Sequence, residues 1–159
     1  MNQLSEGMPA PPFTLAASTG GTICLADYAG KKTVVLYFYP KDMTPGCTME
    51  ACGFRDLAAA FNELGAVILG VSGDCLESHH AFAAAERLNF PLLSDTDASV
   101  STAYGVYREK QRQGRRYMGI DRTTFVIDKA GIVSRIFPKV SVEGHAQEVL
   151  EAVREVGDR

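Results

Sequence analysis

The chain alternates between unbroken apolar runs and segments whose apolar residues recur three and four positions apart. Residues 33–39, Thr33-Val34-Val35-Leu36-Tyr37-Phe38-Tyr39, form a continuous β-rich run, the pattern of a strand buried on both faces. Residues 47–64 have helical periodicity through Phe54, Leu57, Ala58, Phe61 and Leu64, with Gly65 as the stop. A second buried strand is predicted over 66–71, a helix over 76–88, a short extended piece over 90–93, and one or two helical turns over 99–104. Residues 123–127 and 132–137 read as strands around the turn Asp128-Lys129-Ala130-Gly131, and 143–156 as a closing amphipathic helix. At the start, Pro9, Pro11 and Pro12 impose an extended path. Ser18-Thr19-Gly20-Gly21 then turns a hairpin between 13–16 and 22–25.

This order predicts an α/β sandwich of thioredoxin type, a central mixed sheet flanked by helices with an N-terminal β-hairpin. The crossover from Tyr39 to Ala66 is expected to be right-handed. The turn after Tyr39 then falls at the carboxyl end of a central strand, where open α/β sheets place their ligands. A length of 159 residues, with no repeat, low-complexity tract or linker, fits one domain over 1–159. An apolar fraction of 46% and a charged fraction of 22% suit a soluble globular chain. A net charge of -3 gives no electrostatic reason to expect nucleic acid or an anionic membrane as partner. No apolar run approaches the roughly 20 residues of a membrane span. Met1-Asn2-Gln3-Leu4-Ser5-Glu6-Gly7 lacks a basic segment followed by an apolar one, so a cytoplasmic location is expected.

Four cysteines, at 24, 47, 52 and 75, are too few and too unevenly placed for a disulfide scaffold, and they contain neither C-x-x-C nor paired metal-knuckle spacing. Cys47 is the most informative, because it follows Pro45 and Gly46 where a helix should begin. Proline is tolerated at that first turn, and the free N–H groups and positive helix end around the sulfur favour a thiolate. Thr44 can offer its hydroxyl to the sulfur or to a bound oxygen ligand. Arg122, just before the strand at 123–127, is either the cation that assists Cys47 or a solvated charge at a strand start. Cys52 lies five residues on. On a helix this separates the two Cα atoms by roughly 8.6 Å. A disulfide needs less than about 7 Å. Either the pair is never bonded, or the helix start unwinds during reaction.

The run Pro40-x-x-x-Thr44-x-x-Cys47 resembles the peroxiredoxin active-site signature. The longer match from Tyr37 through Thr48, with Glu50-Ala51-Cys52, is similar to the bacterioferritin comigratory protein (PrxQ) branch. It continues in Gly70-Val71-Ser72, Ser78-His79, Phe90-Pro91-Leu92-Leu93-Ser94-Asp95, Tyr104-Gly105-Val106 and Arg122-Thr123-Thr124-Phe125-Val126-Ile127-Asp128, covering almost the whole chain. The resemblance implies that Cys47 is the peroxidatic cysteine and Cys52 the resolving one. Thr44 and Arg122 would hold the peroxide oxygens and the thiolate. Pro40 would shield a sulfenic acid from water, and Glu50 would have a supporting role. It implies a thiol peroxidase that reduces hydrogen peroxide and organic hydroperoxides through a Cys47–Cys52 disulfide. Thioredoxin, or glutaredoxin, would recycle it, without metal, haem or flavin, and the assembly would be a monomer or weak homodimer.

The other candidates are weaker. Cys75 reads as a capping-region residue at a helix start and Cys24 as packing in the hairpin. His79, His80 and His145 form no convincing metal or relay set. Arg108, Lys110, Arg112, Arg115 and Arg116, with Glu109 among them, read as a solvated hairpin. A disulfide reductase would require the missing C-x-x-C. A redox sensor or holdase that passes its oxidation to a partner protein remains the alternative function.

Overall fold

The computed structural model describes residues 4–157. Nine strands and four helices follow in the order β1 (Thr14–Ala17), β2 (Thr22–Cys24), β3 (Thr33–Phe38), α1 (Pro45–Glu63), β4 (Ala66–Ser72), α2 (Leu76–Ala85), β5 (Leu92–Ser94), α3 (Ser99–Ala103), β6 (Tyr107–Arg112), β7 (Arg115–Ile120), β8 (Thr123–Ile127), β9 (Val133–Phe137) and α4 (His145–Gly157). Seven strands form one mixed sheet in the order β2-β1-β5-β4-β3-β8-β9, with β6 and β7 as a separate ribbon. β3 runs parallel to β4 and antiparallel to β8. All six of its residues are buried, as its unbroken apolar run requires.

The two faces of β3 feed two cores. Val35, Tyr37 and Tyr39 pack with Phe54, Ala58 and Phe61 of α1, Phe82 of α2, and Val149, Leu150 and Val153 of α4. Val34, Leu36 and Phe38 face Phe125, Val100 and Tyr104 on the other side. The helical spacing of Ala51, Phe54, Ala58 and Phe61 thus becomes one buried stripe of α1. Gly53 marks its close approach to α4, since a Cβ there would lie 3.3 Å from that of Ala146.

The expected thioredoxin-like architecture forms, with local differences. α2 stops at Ala85 rather than 88, because Arg87 takes a positive φ of 52° and the chain reverses to bring Phe90 to the core. The short strand begins at Leu92, after Pro91, which has no N–H to give to a ladder. α4 begins at His145 rather than 143, because Gly144 has a φ of 73°, outside the right-handed helical region. β2 ends at Cys24, where the Asp27 carboxylate accepts the Cys24 N–H and opens a 3-10 turn over Leu25–Tyr28. The basic segment forms the β6–β7 ribbon with most side chains exposed, and Arg108 and Lys110 pair with Asp121 at 3.4 and 3.3 Å.

Candidate active site

The loop leaving β3 is held by its ends. Tyr39 donates its N–H to Val71, continuing the β3–β4 ladder one residue further. Thr44 is the N-cap of α1, with extended dihedrals of -76° and 152°, and Pro45 occupies the first turn, where its missing N–H costs nothing. Thr48 donates to the Thr44 carbonyl at 2.8 Å, so the helix is closed directly around Cys47. The sulfur thus stands among the uncompensated N–H groups of a helix start. Cys47 is only 1% exposed, although Pro45 beside it is exposed.

Arg122 reaches the same place from the opposite direction. Its carbonyl accepts from Val140, and β8 begins one residue later. Its guanidinium donates from Nη2 to Cys47 Sγ at 3.2 Å and from Nη1 to Glu50 Oε1 at 2.7 Å. Cys47 and Glu50 are three apart on α1 and therefore share a face. Gly46 leaves room for the guanidinium, since a Cβ there would lie 3.3 Å from Nη2. Of the two readings of Arg122, the geometry selects the cation beside Cys47.

Glu50 is almost wholly buried, and among the described residues its Oε2 has no hydrogen-bond partner. Burial pushes its carboxyl up to about 7, against the pull of Arg122. Burial also works against the charge of Arg122, but Glu50 and Cys47 outweigh it and hold the guanidinium more firmly protonated than usual. The Tyr37 hydroxyl, likewise buried without a partner, is raised well above its ordinary value by burial and then by the charges of Glu50 and Cys47.

Cys52 lies on the same unbroken helix but has different neighbours. It is half-buried and donates to Glu86 Oε1 at 3.4 Å. Burial, followed by that hydrogen bond, raises its thiol above the usual value, with Arg55 acting the other way. Both cysteines are free thiols, each with its own partner. Thr44 lies beside the site, but its hydroxyl donates back to the Lys41 carbonyl at 3.1 Å, which leaves its oxygen lone pairs available as acceptors. Pro40 is exposed at the end of β3. Cys75 is the exposed N-cap of α2 with no side-chain capping bond, and Cys24 meets the Thr14 hydroxyl in the hairpin.

Sequence reasoning missed a second polar cluster on the loop before Cys47. Asp42 accepts from Tyr39 Oη at 2.6 Å and Ser78 Oγ at 2.8 Å, and pairs with His79 Nδ1 at 2.7 Å. Its own N–H goes to Asp74, and His79 Nε2 meets the Leu93 carbonyl at 2.9 Å. The loop is therefore tied to the segment between β4 and α2, to α2 itself and, by way of His79, to β5. Burial opposes ionisation of Asp42, but the bonds from His79 and Tyr39 outweigh it and hold the carboxyl below its ordinary range. Asp42, Asp74 and His79 offer atoms within 4.8 Å of one another, a spacing that suits a metal, but Asp42 and His79 spend theirs on the bonds above. The only sequence trace of this cluster was the Ser78-His79 pair. His145 lies apart from it, facing Thr124 Oγ1 at 2.7 Å and Glu148 at 3.1 Å.

A thiol at the first turn of a helix, fed by a central strand and capped by a guanidinium, defines a thioredoxin-fold thiol redox protein. The AhpC/TSA family pattern matches residues 7–136, and the chain belongs to that family, in the bacterioferritin comigratory protein (PrxQ) branch of the peroxiredoxins. The peroxiredoxin Bcp of Bacillus subtilis is 46% identical over 153 residues, covering 96% of this chain and 97% of the relative. Among solved structures, the Xanthomonas campestris bacterioferritin comigratory protein, described for its alkyl peroxide reduction activity, is 41% identical. It superposes with a TM-score of 0.87 over 91% of this chain and 92% of its own. Mycobacterium tuberculosis peroxidoxin BcpB is 37% identical, with a TM-score of 0.86 over 97% and 99% of the two chains. No described helix is long and apolar enough to cross a membrane.

Proposed function

We propose that Cys47 is the peroxidatic residue of this peroxiredoxin and that Cys52 resolves it. The observation that carries this reading is the Arg122 Nη2 to Cys47 Sγ contact at 3.2 Å, made at the opening turn of α1. A guanidinium bonds a thiolate more strongly than a thiol. The thiolate attacks the terminal oxygen of a hydroperoxide, the O–O bond breaks, and an S–O bond forms. Arg122 and the helix-start N–H groups stabilise charge on the peroxide oxygens, and the acceptor oxygen of Thr44 takes the peroxide O–H and orients it. Cys47 becomes a sulfenic acid, the reversible first stage of thiol oxidation. Pro40, at the end of β3, is assigned the shielding of that sulfenic acid from water.

Resolution requires the first turns of α1 to open, because an intact helix holds the two Cα atoms beyond disulfide reach. The opened segment lies between Thr44 and Cys52, since Asp42 ties the preceding loop to Asp74 and to Ser78 and His79 of α2. Cys52 then condenses with the sulfenic acid and water leaves. A dithiol reductant of thioredoxin type restores both thiols by exchange. The substrates are hydrogen peroxide and alkyl hydroperoxides, as the Xanthomonas relative's alkyl peroxide activity supports. Residues 1–159 are read as one domain on the strength of the single seven-stranded sheet with a core on each face, residues 1–3 and 158–159 lying outside the described residues.

Stopped-flow consumption of hydrogen peroxide tests the assignment. Cys47→Ser should abolish it. Cys52→Ser should complete one turnover and then stall with thioredoxin and its reductase. Steady turnover in Cys52→Ser would show that a different thiol resolves.

A further inference from the structure

The reaction at Cys47 moves a negative charge from the sulfur to the leaving oxygen. When a thiolate takes one oxygen from R–O–OH, the other oxygen leaves as an alkoxide that needs a proton, while the sulfur ends neutral as a sulfenic acid. Arg122 stays positive throughout and has lost its anionic partner on one side. Glu50 is bonded to the other arm of the same guanidinium, on the same helix face as Cys47.

We propose that Glu50 is the proton store of the peroxidatic step: it holds a proton while Cys47 is a thiolate and releases it as the sulfur is oxidised. This inference rests on the reading of Cys47 as the peroxidatic residue. Cys47–S⁻, R–O–OH and Glu50–COOH give Cys47–S–OH, ROH and Glu50–COO⁻. The O–O bond breaks, the sulfur loses two electrons, and the proton lost by the carboxyl equals the one gained by the leaving oxygen. One guanidinium faces one negative charge before the step and one after it, so no net charge is created in a buried site.

Three observations carry the inference. The Glu50 side chain is 1% exposed, so an anion there depends on donors supplied by the protein. Only Oε1 has one, from Arg122; among the described residues Oε2 has none, which suits a neutral carboxyl in the resting enzyme. The groups around it leave Arg122 as the deciding partner. Tyr37 of β3 presents a neutral phenol, and Cys47 of α1 competes for Arg122 when it reacts as the thiolate. His145 of α4 lies in the field of Arg122 but is held by burial below its usual range, hence uncharged near neutrality. Two anions three residues apart on one helix face repel, so loss of the thiolate favours ionisation of Glu50. The carboxyl's ordinary proton affinity is already displaced into the neutral range by burial.

The test counts protons. In a Cys52→Ser background, which stops at the sulfenic acid, one equivalent of hydrogen peroxide is mixed in weak buffer with an indicator dye. The thiolate consumed is followed by ultraviolet absorbance. Near pH 7, where a carboxyl displaced to about 7 can both hold and release its proton, protein with Glu50 should take up clearly less than one proton per thiolate consumed, and Glu50→Gln about one. Near pH 8, where Glu50 has already lost its proton, the two should converge on about one. A purely structural Glu50 would leave the stoichiometry the same in both proteins, because glutamine keeps the bond to Arg122, and equal uptake near pH 7 overturns the inference. If Glu50→Gln does not fold, protein with Glu50 alone decides. Uptake per thiolate must climb toward one between the two pH values, and a constant value overturns the inference. Peroxide consumption that survives Cys47→Ser would instead overturn the reading beneath it.

Discussion

Replacing Arg122 by methionine keeps the bulk of the side chain and removes its charge and its donors. The guanidinium makes two charge-assisted bonds, to Cys47 Sγ at 3.2 Å and to Glu50 Oε1 at 2.7 Å. Losing a donor aimed at developing charge slows a reaction by about 100- to 1,000-fold, or about 3–4 kcal/mol of barrier. The stability cost depends on what Glu50 does. Removing one partner of a buried ion pair costs about 3–5 kcal/mol when the other charge stays behind. Glu50 has an escape, because with its carboxyl at about 7 it is half protonated near neutrality. Becoming fully neutral there costs only about 0.4 kcal/mol. The expected loss near pH 6 is therefore that of a hydrogen bond, about 1–2 kcal/mol.

The deficit should grow with pH. Without Arg122 the folded-state value of Glu50 rises further, and a carboxyl raised on folding loses stability as pH climbs from its unfolded value of about 4.3 through its folded one. The variant keeps losing stability after the parent has levelled off. Urea unfolding near pH 6, 7 and 8.5, with stopped-flow peroxide consumption at each, measures both effects. A deficit of about 3 kcal/mol or more near pH 6 that stays flat with pH would show that Glu50 remains a carboxylate and refute the reasoning. A rate loss under about fivefold would show that Arg122 does not act on the reacting sulfur.

Two further perturbations probe the scaffold around the sulfur. Asp42→Asn removes the charge that His79, Tyr39 and Ser78 bond, and should cost about 2–4 kcal/mol near pH 7. The folded Asp42 carboxyl lies below its unfolded value, so its stabilisation is complete above about pH 4 and disappears as pH falls through the lower folded value. Urea unfolding against pH should show the parent and variant converging in acid, and a deficit independent of pH counts against an ionised Asp42. Gly70→Ala on β4 would set a Cβ 2.8 Å from Tyr37 Cζ and 3.0 Å from Leu92 Cδ2. Neither neighbour can yield in a filled core, so about 1–3 kcal/mol should be lost, with a changed tyrosine near-ultraviolet signal; an unchanged urea midpoint would contradict the packing.

Much of the fold was legible because its signals are local. The unbroken run at 33–39, the stripe of Phe54, Ala58 and Phe61, and the stop at Gly65 each encode one element, and each formed within a residue or two of its expected bounds. Boundaries failed where a distant demand overrode local periodicity, as at Arg87, where the chain leaves helical geometry to bring Phe90 to the core. The β6–β7 ribbon is mostly exposed and carries little apolar alternation, so its strands left only a charge pattern to read.

The chain alone determined that a thiol would open a helix at the end of a buried strand, and that another five residues on could not reach it without local unwinding. Those are consequences of backbone geometry over a few residues. Which charges attend each thiol was decided only by the tertiary structure. Arg122 is 75 residues from Cys47, Glu86 is 34 from Cys52 and His79 is 37 from Asp42. Sheet order brings them together, and burial set against such partners then shifts Glu50, Asp42 and Cys52, because desolvation depends on everything packed around a group and on none of its sequence neighbours in particular.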